Sequence, residues 1–278
     1  MHMKAGSLSE KVIAITGGAR GIGLATATYL QRLGAKVAIG DIDESVSHEA
    51  GGRLGLGVCS GLDVTDRQSF IDFLDSVEQH LGPVDVVVNN AGVIAVGSAV
   101  DEADAATGRL LDVNVFGVIL GTKLAAQRML ARRRGHIINI ASLGSMTPTA
   151  GIATYCATKH AVLGYTDTIR MENRGSGVHF SAILPTLTNT EMIAGIGRAK
   201  GLKNAEPEDV ARAVAGVIIK PKPRVFVPRS IGFMVATQRL MPQRVSEAFG
   251  RALGAERVFT SDVDVDKRSG YARRAGTS

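Results

Sequence analysis

Two groups of residues have the types and spacing to do chemistry. The first is Thr16-Gly17-Gly18-Ala19-Arg20-Gly21-Ile22-Gly23, a glycine-rich turn after the apolar run Val12–Thr16. Glycines at 17, 21 and 23 let a backbone turn sharply and approach a pyrophosphate. A helix starting there offers free N–H groups and the positive end of its dipole. Asp41 follows the next apolar run, 36–40. A carboxylate there accepts hydrogen bonds from an adenosine ribose diol and repels a 2′-phosphate. Arg20 pulls the other way, since a loop arginine could meet that phosphate. Asp41 outweighs it, so the turn predicts NAD rather than NADP. The second group is Tyr155 and Lys159, four apart and so on one face of a helix. An ammonium near a phenol, beside an oxidised nicotinamide, favours the phenolate. A downward shift of about 3 units, roughly 4 kcal/mol, would make Tyr155 a usable base near neutrality.

The elements that must position these residues alternate along the chain. Strands are expected at Val12–Thr16, 36–40, 58–64, 85–88, 136–141, 178–184 and Arg224–Val227. Helices are expected at 22–33, 66–81 with Asp66 as N-cap, 106–130, 153–173 and Pro207–Ile219. Strand–helix repeats with apolar strands imply an α/β fold: a doubly wound, mostly parallel Rossmann-type sheet covered on both faces. Such sheets bind ligands beyond the carboxyl ends of their strands. The expected division is one domain over 8–228 and a basic, amphipathic helical extension over 229–278.

Composition agrees. The chain has 278 residues, 45% hydrophobic and 21% charged, which excludes disordered, collagen-like and coiled-coil classes. Cys59 and Cys156 form neither a disulfide framework nor a metal-type spacing, so no metal is expected and a reducing, cytoplasmic setting fits. Residues 1–10 are polar and do not read as a secretory signal, and no apolar run approaches the ~18 residues needed to cross a bilayer. The net charge is +6, and residues 221–278 alone carry 11 basic against 5 acidic side chains. A neutral body with a basic tail argues against nucleic-acid binding.

With these features in order, the chain resembles the short-chain dehydrogenase/reductase family. Asp63-Val64 follows the third strand, and Asn89-Asn90-Ala91-Gly92 the fourth; Asn114 lies in the long helix; Ser142, Tyr155 and Lys159 stand at the family's catalytic spacing. The resemblance implies adenine contacts at Asp63 and Val64, and cofactor packing by Asn90, Ala91 and Gly92. It implies that Ser142 holds the substrate oxygen and Tyr155 exchanges its proton. Lys159 would bind nicotinamide ribose, and Asn114 would hold a water joining Lys159 to solvent. After the sixth strand the family often has Pro-Gly. Here Pro185 is followed by Thr186, with the Thr188 backbone and the Thr190 side chain expected to hold the carboxamide. Asp112, His136 and His160 read as structural, and Cys156 as a small packed side chain.

The implied activity is interconversion of a lipophilic secondary alcohol and its ketone with NAD as cofactor. The alternatives are an NADPH-dependent carbonyl reductase or a non-catalytic dinucleotide-binding regulator. Ile94, Val96, Leu143, Met146, Ile152, Leu187, Met192 and Ile193 are the expected substrate wall, with 190–204 as a mobile lid. Leu111, Val115, Val118, Leu124, Leu163 and Ile169 suggest helix pairing in a homo-oligomer, a tetramer or dimer. Amphipathic helices over 230–241 and 242–253 could pack on the body, cover the pocket or make weak peripheral membrane contact. Residues 262–278 are expected to be partly disordered.

Overall fold

The computed structural model describes residues 6, 8–197, 204–240 and 257–277. Seven parallel strands form one sheet: β1 (Val12–Thr16), β2 (Lys36–Asp41), β3 (Val58–Gly61), β4 (Val86–Asn89), β5 (Gly135–Ile140), β6 (Val178–Pro185) and β7 (Arg224–Val227). Their order is β3-β2-β1-β4-β5-β6-β7. The chain winds outward from β1 in one direction and from β4 in the other, so strand order reverses between β1 and β4. That junction is where a doubly wound sheet opens a ligand crevice.

Successive strand side chains point to opposite faces, and both faces are buried. In β1, Ile13 and Ile15 join one core with Leu30, Val210 and Val214. Val12 and Ala14 join the other with Phe70, Leu74, Leu124 and Met129. Helices α1 (Gly21–Arg32), α2 (Glu44–Leu54) and α7 (Pro207–Ile219) cover the first face. Helices α3 (Arg67–Leu81), α5 (Gly117–Ala131) and α6 (Ala153–Glu172) cover the second. Asp66 caps α3, accepting from the Ser69 N–H at 2.6 Å.

Helix α4 (Asp104–Leu111) runs into α5 through a π turn, Asp112–Phe116. Contrary to the expectation that no apolar run is long enough, the whole stretch Asp104–Ala131 is long and apolar enough to cross a bilayer. Here that apolar length is core: Val118, Leu120, Leu124 and Met129 are buried. This corrects the expected pairing surface, because Val118, Leu124 and Leu163 serve the sheet. Within Asp104–Ala131, Leu111 and Phe116, at 47% and 48% exposure, are the large apolar side chains left outside.

Two elements escaped the sequence reading. Helix α2 has an Asp43 cap and a left-handed stop at Gly55, but only Ser47, Ala50 and Gly51 are buried in it, so its apolar stripe is thin. The second is α9 (Val265–Ala275), in the segment expected to be partly disordered. Asp264 caps α9 and Gly276 ends it in the left-handed region. Helix α8 (Arg229–Leu240) seats Ile231 and Val235 in the body while Phe233 stays exposed. The helix expected at 242–253 lies outside the described residues, as do positions 198–203 of the expected lid.

Candidate active site

A cavity of about 1270 Å³ opens above the carboxyl ends of the strands. At one end lies the glycine turn. The N-cap of α1 is Arg20, which makes no side-chain cap, and the first turn carries no acidic residue. Its leading N–H groups therefore face the cavity without side-chain partners. Gly17 has φ +61°, and a Cβ there would meet the Ala91 backbone at 2.9 Å; one on Gly23 would overlap the Gly17 carbonyl. The turn is tied to β4 by Asn90. Its Nδ2 donates to the Thr16 and Gly17 carbonyls, each at 2.9 Å, and the Thr16 hydroxyl accepts from the Asn90 and Ala91 N–H groups at 3.0 Å.

Asp41 sits at the end of β2, where its carboxylate accepts from the Ala19 N–H at 3.1 Å and the Asp43 N–H at 3.3 Å. Arg20 turns to Asp43 at 3.0 Å. Hydrogen bonds from Ser45 and the Val46 N–H, together with Arg20, hold the Asp43 carboxyl below its usual range. Asp63, Val64, Gly92, Pro185, Thr188 and Thr190 line the same cavity, as do Gly21 and Ile22. Thr186 takes an ordinary backbone conformation and donates its N–H to Val227 at 2.9 Å, continuing the β6–β7 register. The Ala205 bridge to Thr188 uses the N–H of Asn189 and the carbonyl of Leu187. Thr188's own N–H and carbonyl are thereby left on the other side.

Midway along the cavity, Ser142, Tyr155 and Lys159 come together. Ser142 caps a short turn after β5, accepting from the Gly144 N–H at 3.1 Å, and its hydroxyl lies close enough to the Tyr155 phenol to favour that phenol's ionised form. Lys159 is 4% exposed; its Nζ donates to the Ile140 carbonyl at 3.0 Å and lies 5.7 Å from the Tyr155 ring centre. The expected depression of Tyr155 is not present in the protein alone. Burial pushes its phenol up to about 12, against a smaller lowering by Ser142, and pushes Lys159 down to about 8. The cause is desolvation: an ammonium bonded to a carbonyl does not offset the loss of water around the phenol.

Asn114 is fully buried in the π turn. Its Oδ1 accepts from the Val93 N–H and its Nδ2 donates to the Val93 carbonyl, both at 2.8 Å, with Thr158 at 3.2 Å. The side chain thus holds the loop after β4, and a water relay would fall to its backbone. Wide turns of this kind recur at functional sites. Cys156 is buried and its thiol pushed up by desolvation, as suits a packed side chain. His136 lies at the opposite end of β5.

The far end is apolar. Ile94, Leu143, Met146, Ile152, Leu187, Met192 and Ile193 line it as expected, whereas Val96 is not in its lining and packs against the buried cluster that contains Ile94. The other wall begins with Met234 and Val235 from α8, in line with the expectation that this helix could cover the pocket, and continues with Val258, Phe259, Tyr271 and Ala275, which the sequence reading missed. The segment 257–277 is clasped over the loops. Buried Arg268 donates to the Met192 and Ile94 carbonyls, each at 3.1 Å, and Arg274 pairs with Glu191 at 2.8 Å. A Cβ on Gly151, with φ +83°, would overlap the Phe259 carbonyl, so glycine is what lets this segment approach. Asp264 and Gly276, bracketing eleven residues, were the signal for this wall. Among the described residues no metal-binding cluster occurs.

Comparison with known proteins agrees with this geometry. The short chain dehydrogenase family profile matches residues 11–201. A 2-(S)-hydroxypropyl-CoM dehydrogenase of Xanthobacter autotrophicus is 37% identical over 75% of this chain and 82% of its own. A 3-alpha-(or 20-beta)-hydroxysteroid dehydrogenase of Mycobacterium bovis is 34% identical over 78% of this chain and 80% of its own. Among solved structures, a 3-ketoacyl-(acyl-carrier-protein) reductase of Brucella melitensis complexed with NADH superposes with a TM-score of 0.72 at 26% identity, covering 80% of this chain and 98% of that one. Proteins of this kind are oxidoreductases that bind a nicotinamide dinucleotide, and the glycine cradle with its uncapped helix fits one. The chain belongs to the short-chain dehydrogenase family.

Proposed function

We propose that the protein is an NAD(H)-dependent oxidoreductase that interconverts a lipophilic secondary alcohol and its ketone. One observation carries the reading: Ser142 and Tyr155, with Lys159 buried beside them, line one cavity that is apolar on one side and reaches the glycine turn and Asp41 on the other. When bound, the nicotinamide supplies hydride transfer. Tyr155 moves the proton at the substrate oxygen, and Ser142 hydrogen-bonds that oxygen as charge develops. Lys159 binds nicotinamide ribose, and the Thr188 backbone and Thr190 side chain hold the carboxamide. The Asn114 backbone carries the water that joins Lys159 to solvent.

The choice of NAD rests on Asp41 and on Arg20, which Asp43 already engages. The NADH in the Brucella structure and the hydroxysteroid named for the Mycobacterium relative support cofactor and substrate class. Leu111 and Phe116 supply an apolar face for pairing in a homo-oligomer, and two free cysteines suit the cytoplasm. The test is a screen of lipophilic alcohols and ketones with both cofactors, read by absorbance of the reduced nicotinamide. Turnover with NAD(H) is expected; equal or better turnover with NADP(H) overturns the cofactor choice. Light scattering that gave a monomer near 29.1 kDa at micromolar concentration would overturn the oligomer.

A further inference from the structure

Tyr271 stands in the same cavity as Tyr155 and Ser142. Its oxygen accepts a hydrogen bond from the Ile94 N–H at 3.1 Å. A phenol has one proton to donate, and that bond does not use it. No acceptor for the Tyr271 proton occurs among the described residues. Its neighbours are apolar, with Ile94, Ile152, Val258 and Phe259 forming one buried cluster against it. Lining the cavity, the Tyr271 hydroxyl thus keeps a donor free for an acceptor on whatever fills that cavity.

The donor is also fixed in place. The Arg268 guanidinium lies over the Tyr271 ring, 5.2 Å from its centre, and is itself bonded to the Ile94 and Met192 carbonyls. The Thr277 hydroxyl adds a third tie to Ile94, at 3.3 Å. Tyr271 is near enough to Tyr155 that a charge on one opposes ionisation of the other. Burial raises the Tyr271 phenol, while the Ile94 N–H, Arg268 and Arg274 pull against that rise and polarise its O–H bond.

We propose that Tyr271 is a specificity-determining residue whose phenolic proton binds a second oxygen of the substrate. The preferred substrate is then a lipophilic ketone or secondary alcohol carrying a further hydrogen-bond acceptor, such as an ester, thioester or second carbonyl. The inference rests on the reading of this cavity as an alcohol or ketone site. It adds a requirement that an all-apolar wall does not impose.

The test uses the full-length protein with NADH and a set of substrates of one chain length. One is a simple methyl ketone; the others are keto esters differing in the separation of their two oxygens. Wild type is expected to favour one keto ester. Tyr271→Phe should raise KM for that ester by roughly two- to tenfold more than it raises KM for the simple ketone, the worth of one hydrogen bond. A purely structural Tyr271 would shift Ile94 and change both substrates alike, which overturns the proposal. So does a wild type with no preference, even if it reduces the simple ketone well. If none is reduced, the oxidoreductase reading fails separately. Calorimetric binding of the same ketone and esters to both proteins then decides, and equal affinities overturn the donor role.

Discussion

At the end of the cavity proposed for adenosine, the functional groups come from strand ends or the turns just after them: Gly17 after β1, Asp41 closing β2, Asn90 after β4. At the substrate end the wall joins segments far apart in sequence. Tyr271 meets Ile94 across 177 positions, and Arg268 reaches Met192 across 76. The first end is set by parallel register and hydrogen bonds among neighbouring strands. The second depends on one short helix docking over two loops. Substitutions in 257–277 can therefore retune the substrate while the dinucleotide cradle stays as it is.

The chemistry between the two ends gives the largest expected effect. Tyr155→Phe keeps the ring and removes the proton-transfer group, so turnover should fall by roughly 10²- to 10⁴-fold. NADH affinity, measured by fluorescence titration, should change by less than about twofold. Near-normal turnover would show that proton transfer lies elsewhere.

Next in size is Arg268→Ala, which strikes the substrate end alone. It removes the Arg268 donor from the Met192 carbonyl and leaves the Ile94 carbonyl only the Thr277 hydroxyl, so both loops are held less firmly. Misplacement near a reacting centre costs up to about 10²-fold, so kcat/KM should drop by roughly 10- to 100-fold, mostly through KM. Arg268→Lys should recover part of it. NADH affinity should hold; if it falls as far as kcat/KM, the two ends are not separable.

The same contrast explains what could be read in the sequence. The alternation of strands and helices and the glycine turn follow from local pattern: apolar runs, helix spacing and the rule that ligands sit at strand ends; the grouping of Ser142 with Tyr155 was implied by the family resemblance. Helix α2 was missed because a thin stripe over Ala50 gives little periodicity. Helix α9 was missed because its buried inward face holds Arg268 and its neighbours are charged, so it looks like a solvated tail until the partners of that arginine are known. The desolvation of Tyr155 in the protein alone escaped the sequence for a related reason: i, i+4 spacing brings Lys159 near, but only the fold shows that both are dry.

A smaller effect tests the adenosine end. Asp41→Ala removes the carboxylate proposed for the ribose diol and also the acceptor for the Ala19 N–H. The ratio of NADPH to NADH dissociation constants should narrow by roughly tenfold, as expected for losing a hydrogen bond to a charged group. Substrate KM at saturating cofactor should stay within about twofold. An unchanged ratio would remove Asp41 from cofactor choice.

The smallest effect belongs to a group remote from both ends, and it serves as the control for the comparison. His136 is the second residue of β5, while the chemistry follows the strand's last residue, Ile140. It is 4% exposed, its Nε2 lies 2.8 Å from the Ser181 hydroxyl, and burial, with a smaller push from His179, lowers its pKa from 6.5 to about 3. Between those values the unfolded chain binds a proton that the folded one does not. Stability therefore falls as pH drops below about 6.5, by at most about 1.4 kcal/mol per unit from this group. His136→Leu removes that titration, while Ser181 keeps its bond to the Lys222 carbonyl at 2.6 Å. Urea unfolding at a series of pH values from about 7 to 5 should show a shallower loss in the variant than in wild type, with KM and NADH affinity at neutral pH unchanged. Coincident slopes would mean that His136 is not the group that makes the fold acid-sensitive. A change in either binding constant would mean that the two ends of the cavity share a support at the base of the sheet.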